Sequence, residues 1–135
     1  MVPVSQDETH IVRRAVDGDT LELENGQRVR LIGVDTPEFA DQGPEPFAEE
    51  AYQFTSRMVA GKAVRLEFDR ERLDKYRRVL AFVYCDDELL NESIVREGLG
   101  RVLTRFSYSS RMKKRLLAAE EDAKARGVGL WRKQQ

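Results

Sequence analysis

Asn25-Gly26 follows a stretch in which Leu21 and Leu23 alternate with Thr20, Glu22 and Glu24. Alternation of period two marks a strand with one buried face. Asn-Gly is the pair selected by a two-residue type I′ turn, because both of its central residues need positive φ. The chain must therefore fold back on itself here as an antiparallel pair. A two-residue turn sets Glu24 opposite Gln27, Leu23 opposite Arg28, Leu21 opposite Arg30 and Asp19 opposite Ile32. Asp19 then shares the apolar face with Leu21 and Leu23, and Arg30 lies diagonal to it, within reach of a long side chain. A carboxylate on a buried face needs a partner, and Arg30 is the candidate.

The returning segment is Arg30-Leu31-Ile32-Gly33-Val34-Asp35-Thr36-Pro37-Glu38. Its apolar run reads as a buried strand that ends in a turn bearing two acids. Pro37 fixes its own φ and holds Thr36 out of the helical region, so Asp35, Thr36 and Glu38 sit at a rigid strand exit. Asp35 can approach Asp19 only if the strands bend, which Gly18 and Gly33 make cheap. Two carboxylates brought together repel unless a cation lies between them, and a hard, oxygen-ligated ion suits that role. Acids on a rigid turn with an arginine behind them suit metal-assisted chemistry on a phosphate. The plainer reading is an ordinary acidic turn, with Arg30 and Asp19 as a structural ion pair.

The rest of the chain adds strands and helices around this hairpin. Residues 1–9 are polar and expected to be loose, and Ile11 to Val16 forms a first strand. Residues 39–45 read as a polar loop. Pro46 is placed as the first helical residue, with Phe47, Ala51, Phe54 and Met58 on one face and Gly61 as the stop. Val64, Leu66 and Phe68 alternate with charged residues as another strand. A charged connection over 69–78 leads to Val79–Tyr84, apolar on both faces and hence central. Asn91 is expected to cap a short helix ending at Gly98, and 101–106 to form a short strand. Ser109 or Ser110 caps a last helix with Met112, Leu116, Ala119 and Ala123 inward. Gly127 ends that helix, and Trp131 packs back on the body. Five short strands and three helices predict an α+β domain over 10–132, built as a small closed barrel of the OB type.

Charge and rare residues narrow the chemistry. Lys and Arg number 23 against 24 Asp and Glu, a formal net charge of −1, so a nucleic-acid partner must be gripped by a local patch. Tyr76 among Lys75, Arg77 and Arg78 is such a patch and suits a nucleotide, although a charge run is also what a solvated loop looks like. Cys85 and His10 are each alone, which excludes an intrachain disulfide, a Cys-based zinc site and a two-His metal motif. Acid–base work is then left to carboxylates, arginines, water or a metal. No apolar run reaches membrane-spanning length, and residues 1–9 contain no signal-peptide h-region.

Asp17-Gly18-Asp19-Thr20, the run from Arg30 to Glu38, Asp74-Lys75-Tyr76 through Arg78, Leu80-Ala81, Asn91-Glu92 and Gly129-Leu130-Trp131 occur in this order. Together they resemble the staphylococcal (micrococcal) nuclease, or thermonuclease, family, over about residues 10–132. The resemblance implies an OB-fold barrel with three helices. It implies a Ca²⁺-dependent, sugar-non-specific endonuclease that hydrolyses DNA and RNA, single strands preferred, to 3′-phosphorylated products. By position, Asp19, Asp35 and the Thr36 carbonyl would hold Ca²⁺, and Glu38 would be the general base on water. Arg30 and Arg78 would grip the phosphate and its transition-state charge, and Lys75 and Tyr76 would contact a terminal phosphate. The family commonly has glycine on both sides of the second arginine; here Arg77 and Val79 stand there, and Arg77 adds a cation to the substrate-binding set. Two base-pocket tyrosines of the best-known member align with Thr104 and Phe106, of which Phe106 keeps a ring for stacking. A monomer without membrane contact is expected. It would be secreted, periplasmic or at the cell surface of a bacterium, with the targeting segment absent from this chain, or else cytoplasmic. The alternative is a catalytically silent OB fold that binds nucleic acid or protein. Retention of Asp19, Arg30, Asp35, Glu38 and Arg78 favours the enzyme.

Overall fold

The alternating and apolar stretches become strands, and five strands close into a barrel. They are β1 (Thr9–Asp17), β2 (Thr20–Leu23), β3 (Arg28–Leu31), β4 (Ala63–Glu67) and β5 (Val79–Cys85), in a computed structural model that describes residues 9–133. β1 pairs antiparallel with β2 and β4, β2 with β3, and β4 with β5. The ring closes where β3 runs parallel to β5, with Val29 beside Val79 and Leu31 beside Ala81. This is the expected OB-type barrel. β5 is central because Val79, Ala81, Phe82, Val83 and Cys85 are all buried. Of the segment expected to be loose, residues 1–8 lie outside the described residues, and Thr9 opens β1.

The hairpin turn holds one residue more than expected. The Leu23 N–H donates to Gln27 O at 2.8 Å, and the Gly26 N–H donates to Leu23 O at 2.9 Å. Glu24 and Asn25 make the tight turn, and Gly26, at φ 88, is a left-handed bulge residue. Asn25 Oδ1 accepts from the Gln27 N–H at 2.9 Å and holds the loop in this form. The register moves by one, so that Leu21 faces Val29 and Thr20 faces Arg30. Arg30 therefore lies on the opposite face of its strand from the one that carries Leu21, Leu23 and Val29 into the core.

Three α-helices lie outside the barrel among the described residues: α1 (Ala48–Val59), α2 (Leu90–Arg96) and α3 (Ser110–Arg126). α1 starts beyond Pro46, because Phe47 at its N-cap is left-handed, with φ 73. It buries Ala48, Ala51, Thr55 and Val59. Asn91 is not a cap. It sits inside α2, fully buried, where Nδ2 donates to Ile32 O at 2.8 Å and Oδ1 accepts from the Val83 N–H at 3.0 Å. It ties α2 to β5 and to the exit of the third strand. Ser109 caps α3 by accepting from the Met112 N–H at 3.3 Å, and Gly127 ends it at φ 63. The strand expected over 101–106 shrinks to Arg101–Val102, which pairs with Val34–Asp35. Where a loop was expected, Phe39–Ala40 and Gly43–Pro44 form a minute hairpin. No helix among the described residues is long and apolar enough to cross a membrane.

Tyr108 joins the last helix to the barrel. Its ring lies 6.4 Å from that of Phe82, and its hydroxyl donates to Leu103 O at 2.6 Å. Burial, and then the charge of Glu120, push the phenol from 10.0 up to about 12. The fold favours the protonated phenol, so its contribution is complete below pH 10. That contribution is lost as pH rises towards about 12, because unfolded chains ionise first. The urea midpoint is expected to fall between those two pH values. Tyr108→Phe should flatten that fall, and an unaltered fall would remove Tyr108 as its cause.

Candidate active site

The site is built where the β1–β2 turn meets the exit of the third strand. The hydroxyl of Thr55, on α1, donates to Gly18 O at 2.7 Å and fixes the turn from below. Asp19, 5% exposed, then bridges the two segments. Its Oδ1 accepts from the Thr20 hydroxyl at 3.2 Å and its Oδ2 from the Thr36 N–H at 3.0 Å. Gly33, at φ 80, bends the chain so that the carbonyls of Leu31 and Val34 face one guanidinium. Arg30 Nη1 donates to both, at 2.7 Å each. Arg30 Nη2 lies 3.4 Å from Asp19 Oδ2 and 3.8 Å from Asp35 Oδ1. The short carbonyl bonds orient the arginine, and the longer contacts supply charge balance. Arg30 thus meets Asp19 as expected, but from the other face of its strand.

Negative charge exceeds what this arginine neutralises. Asp17 Oδ1 accepts from the Asp19 N–H at 3.0 Å. Burial, and then the charge of Asp19, push the Asp17 carboxyl up to about 6. The same two causes raise Asp35, with the Arg30 charge opposing them. A rigid oxygen set with surplus negative charge fits a hard divalent cation. No three His, Cys, Asp or Glu side chains among the described residues are grouped closely enough to hold a metal by themselves. An ion here would take Asp19, Asp35, a backbone carbonyl and water. The burial of Asp17 was not legible in the sequence, since nothing local says that the turn after it is buried.

Arg30 also lines a cavity of about 510 Å³ that runs over Arg78, Lys75 and Tyr76 to Phe106 and Tyr108. Arg78 stands at the mouth of β5 and is clamped by Asp74. Asp74 Oδ2 accepts from Arg78 Nε at 2.7 Å, and Oδ1 from the Arg78 and Tyr76 N–H groups at 2.9 Å each. Burial alone would raise the Asp74 carboxyl, but these hydrogen bonds outweigh it and hold it below the usual range. The i, i+4 spacing of Asp74 and Arg78 was visible in the sequence, but not the loop that it closes. Tyr76 and Phe106 are 66% and 63% exposed. Lys75 Nζ and Arg78 Cζ lie 5.1 and 5.3 Å from the centre of the Tyr76 ring. Arg77 and Thr104 are exposed and are not among the residues that line the cavity. Arg77 has φ 66, a conformation that glycine adopts without cost.

Glu38 stands three residues beyond Asp35, exposed, on the small hairpin. Its N–H donates to Glu45 Oε1 at 2.7 Å, and its carbonyl accepts from the Glu45 N–H at 2.9 Å. Glu45 therefore fixes the backbone of Glu38 and leaves its carboxylate to solvent. Nothing in the sequence signals that role, since Glu45 reads as one more acid of a polar loop.

A family model described as staphylococcal nuclease homologue matches residues 28–133. The chain is 40% identical over 131 residues to the thermonuclease of Staphylococcus intermedius, covering 92% of this chain and 76% of that protein. It is 35% identical over 133 residues to the thermonuclease of Staphylococcus hyicus, covering 94% and 78%. It is 35% identical over 126 residues to endonuclease YncB of Bacillus subtilis (strain 168), covering 89% and 60%.

Proposed function

The chain belongs to the staphylococcal nuclease family and is a nuclease, and from that premise we propose that it is a Ca²⁺-dependent phosphodiesterase whose reaction is centred on Arg30 and the Asp35–Glu38 turn. The observation that carries this reading is the surplus of carboxylate charge around the fixed Arg30 guanidinium, beside a cavity that also holds Arg78. Asp19, Asp35 and the Thr36 carbonyl would hold the ion. When bound, Ca²⁺ supplies positive charge against the phosphate oxygens. Arg30 and Arg78 offer forked donors to those oxygens, and they count most as the five-coordinate phosphorane gathers charge. Glu38 orients a water molecule and takes its proton as the water oxygen bonds to phosphorus. The bond from phosphorus to the 5′-oxygen breaks, solvent protonates that oxygen, and the phosphate stays on the 3′ side. Lys75 meets a further phosphate. The exposed rings of Phe106 and of Tyr76, the latter flanked by Lys75 and Arg78, offer surfaces on which unpaired bases of DNA or RNA stack, which favours single strands.

The test is digestion of single-stranded DNA in millimolar Ca²⁺ and in chelator. Cleavage to 3′-phosphorylated ends is expected only with Ca²⁺, together with a rise in melting temperature by mass action. Equal cleavage and equal melting in chelator would overturn the metal assignment.

Asp74→Asn tests the clamp on Arg78. Its amide oxygen still accepts the backbone N–H groups, so the loop keeps its shape, but the ionic bond to Nε is lost. kcat is expected to fall by about 10- to 100-fold through misplacement of Arg78, and the melting temperature to fall modestly, because the fold favours the charged Asp74 carboxyl. The clamp is complete above the ordinary carboxylate range and is lost as pH falls through the lowered value of Asp74. A kcat equal to wild type would show that Arg78 needs no such support.

A further inference from the structure

We propose that a second cavity, beside the Asp35–Thr36 turn, holds the polynucleotide on the far side of the scissile phosphate from the Tyr76 cavity. The inference rests on the nuclease reading. A chain cut internally continues past the scissile phosphate in both directions, so its phosphates must be met on both sides. The Tyr76 cavity serves one of them. The second cavity, of about 540 Å³, is lined by Asp35 and Thr36 on one wall and by Arg101, Arg132 and Lys133 on another. The two cavities share no lining residue. Arg30 lines the first and Asp35 the second, and the two residues are in contact, with Arg30 Nη2 3.8 Å from Asp35 Oδ1. A phosphate bound at Arg30, beside Asp35, therefore has residues of one cavity on one side and of the other cavity on the other.

Charge decides what the second cavity takes. Arg101, Arg132 and Lys133 are exposed, and they stand together in a chain whose net charge is −1. Only Asp35 and Glu45 oppose them among the lining residues. Three cations against these two carboxylates leave a formal charge of +1 on the lining. The balance left to a ligand is positive, which suits a phosphate backbone read without regard to base. Arg101 also gives the cavity a reporter. Its guanidinium lies 4.8 Å from the centre of the ring of Trp131, the one tryptophan of the chain.

The test uses the double charge reversal Arg132→Glu with Lys133→Glu, both on exposed side chains. KM is measured on a 20-nucleotide single strand and on a nitrophenyl ester of a single nucleotide, which carries no chain beyond the scissile phosphate. KM for the long strand is expected to rise about tenfold. The slope of log KM against log salt should become shallower by about 1.4, for two lost single-strand phosphate contacts. KM for the ester should rise far less. Trp131 fluorescence, titrated with the same strand in chelator, reads binding without turnover. It should change in the wild-type chain, with the midpoint moved to higher DNA concentration in the variant. An unchanged KM and salt slope would overturn the proposal. So would an equal loss on both substrates, or no fluorescence response in the wild type. A failure of Ca²⁺-dependent cleavage would appear separately, because the titration needs no activity.

Discussion

Arg30→Lys is expected to lower kcat by about 10²- to 10³-fold, the effect of removing one preorganised donor from a developing oxyanion. The wild-type guanidinium is held from two directions. Nη1 is bonded to the carbonyls of Leu31 and Val34, and Nη2 faces Asp19 and Asp35. A lysine ammonium is a point charge on a flexible stem and cannot keep both sets while presenting a fork to a phosphate. If it stays with the carboxylates, the two carbonyls lose their donor. If it stays with the carbonyls, Asp19 keeps a buried charge with less compensation. Either outcome is expected to destabilise the fold by about 1–3 kcal/mol. Kinetics should therefore be measured well below the melting temperature of the variant. The informative pattern is a collapse of kcat with a modest change in KM, since the interaction strengthens only in the transition state. A variant that unfolds early but turns over at the wild-type rate while folded would make Arg30 structural.

Gly18→Ala is expected to damage stability and activity together. A Cβ on residue 18 would lie 2.7 Å from Thr36 Oγ1, 2.9 Å from Thr36 Cβ and 2.8 Å from Ala51 Cβ. None of these atoms is the far end of a flexible side chain, so the turn, α1 or the strand exit must move. Overpacking of this kind costs about 1–3 kcal/mol. The movement also strains the bond from Thr55 to Gly18 O and the bond from the Thr36 N–H to Asp19. Because Asp19 and Thr36 belong to the proposed metal site, Ca²⁺ affinity and kcat should fall along with the urea midpoint. The double variant Gly18→Ala with Ala51→Gly removes one of the contacts and should recover part of the stability. A single variant with an unchanged midpoint and unchanged Ca²⁺ response would show that the approach is not tight.

Much of the fold was legible because it depends on neighbours along the chain. Period-two alternation placed β2 and β4, an apolar run placed β5, and Ser109 or Ser110 and Gly127 bounded the last helix. The catalytic candidates were legible in a different way, through the order of motifs that resemble the nuclease family. Their supports were not. Asn-Gly specifies that the chain turns. Whether two or three residues form the loop was decided by the pairing that closes the barrel, and that one residue placed Arg30 on the face opposite Leu21. Asn91 reads as a cap because a polar side chain near a helix start usually is one. Only the docking of α2 against Ile32 and Val83 gave its amide buried partners. Asp17, Glu45 and Asp74 look like ordinary surface acids, since the groups they hold are positioned by backbone turns whose burial no local pattern records. Local propensity fixes which residues can form an element. Register, burial and the approach of one turn to another depend on contacts between residues far apart in the chain, and here those contacts decide where each charge points.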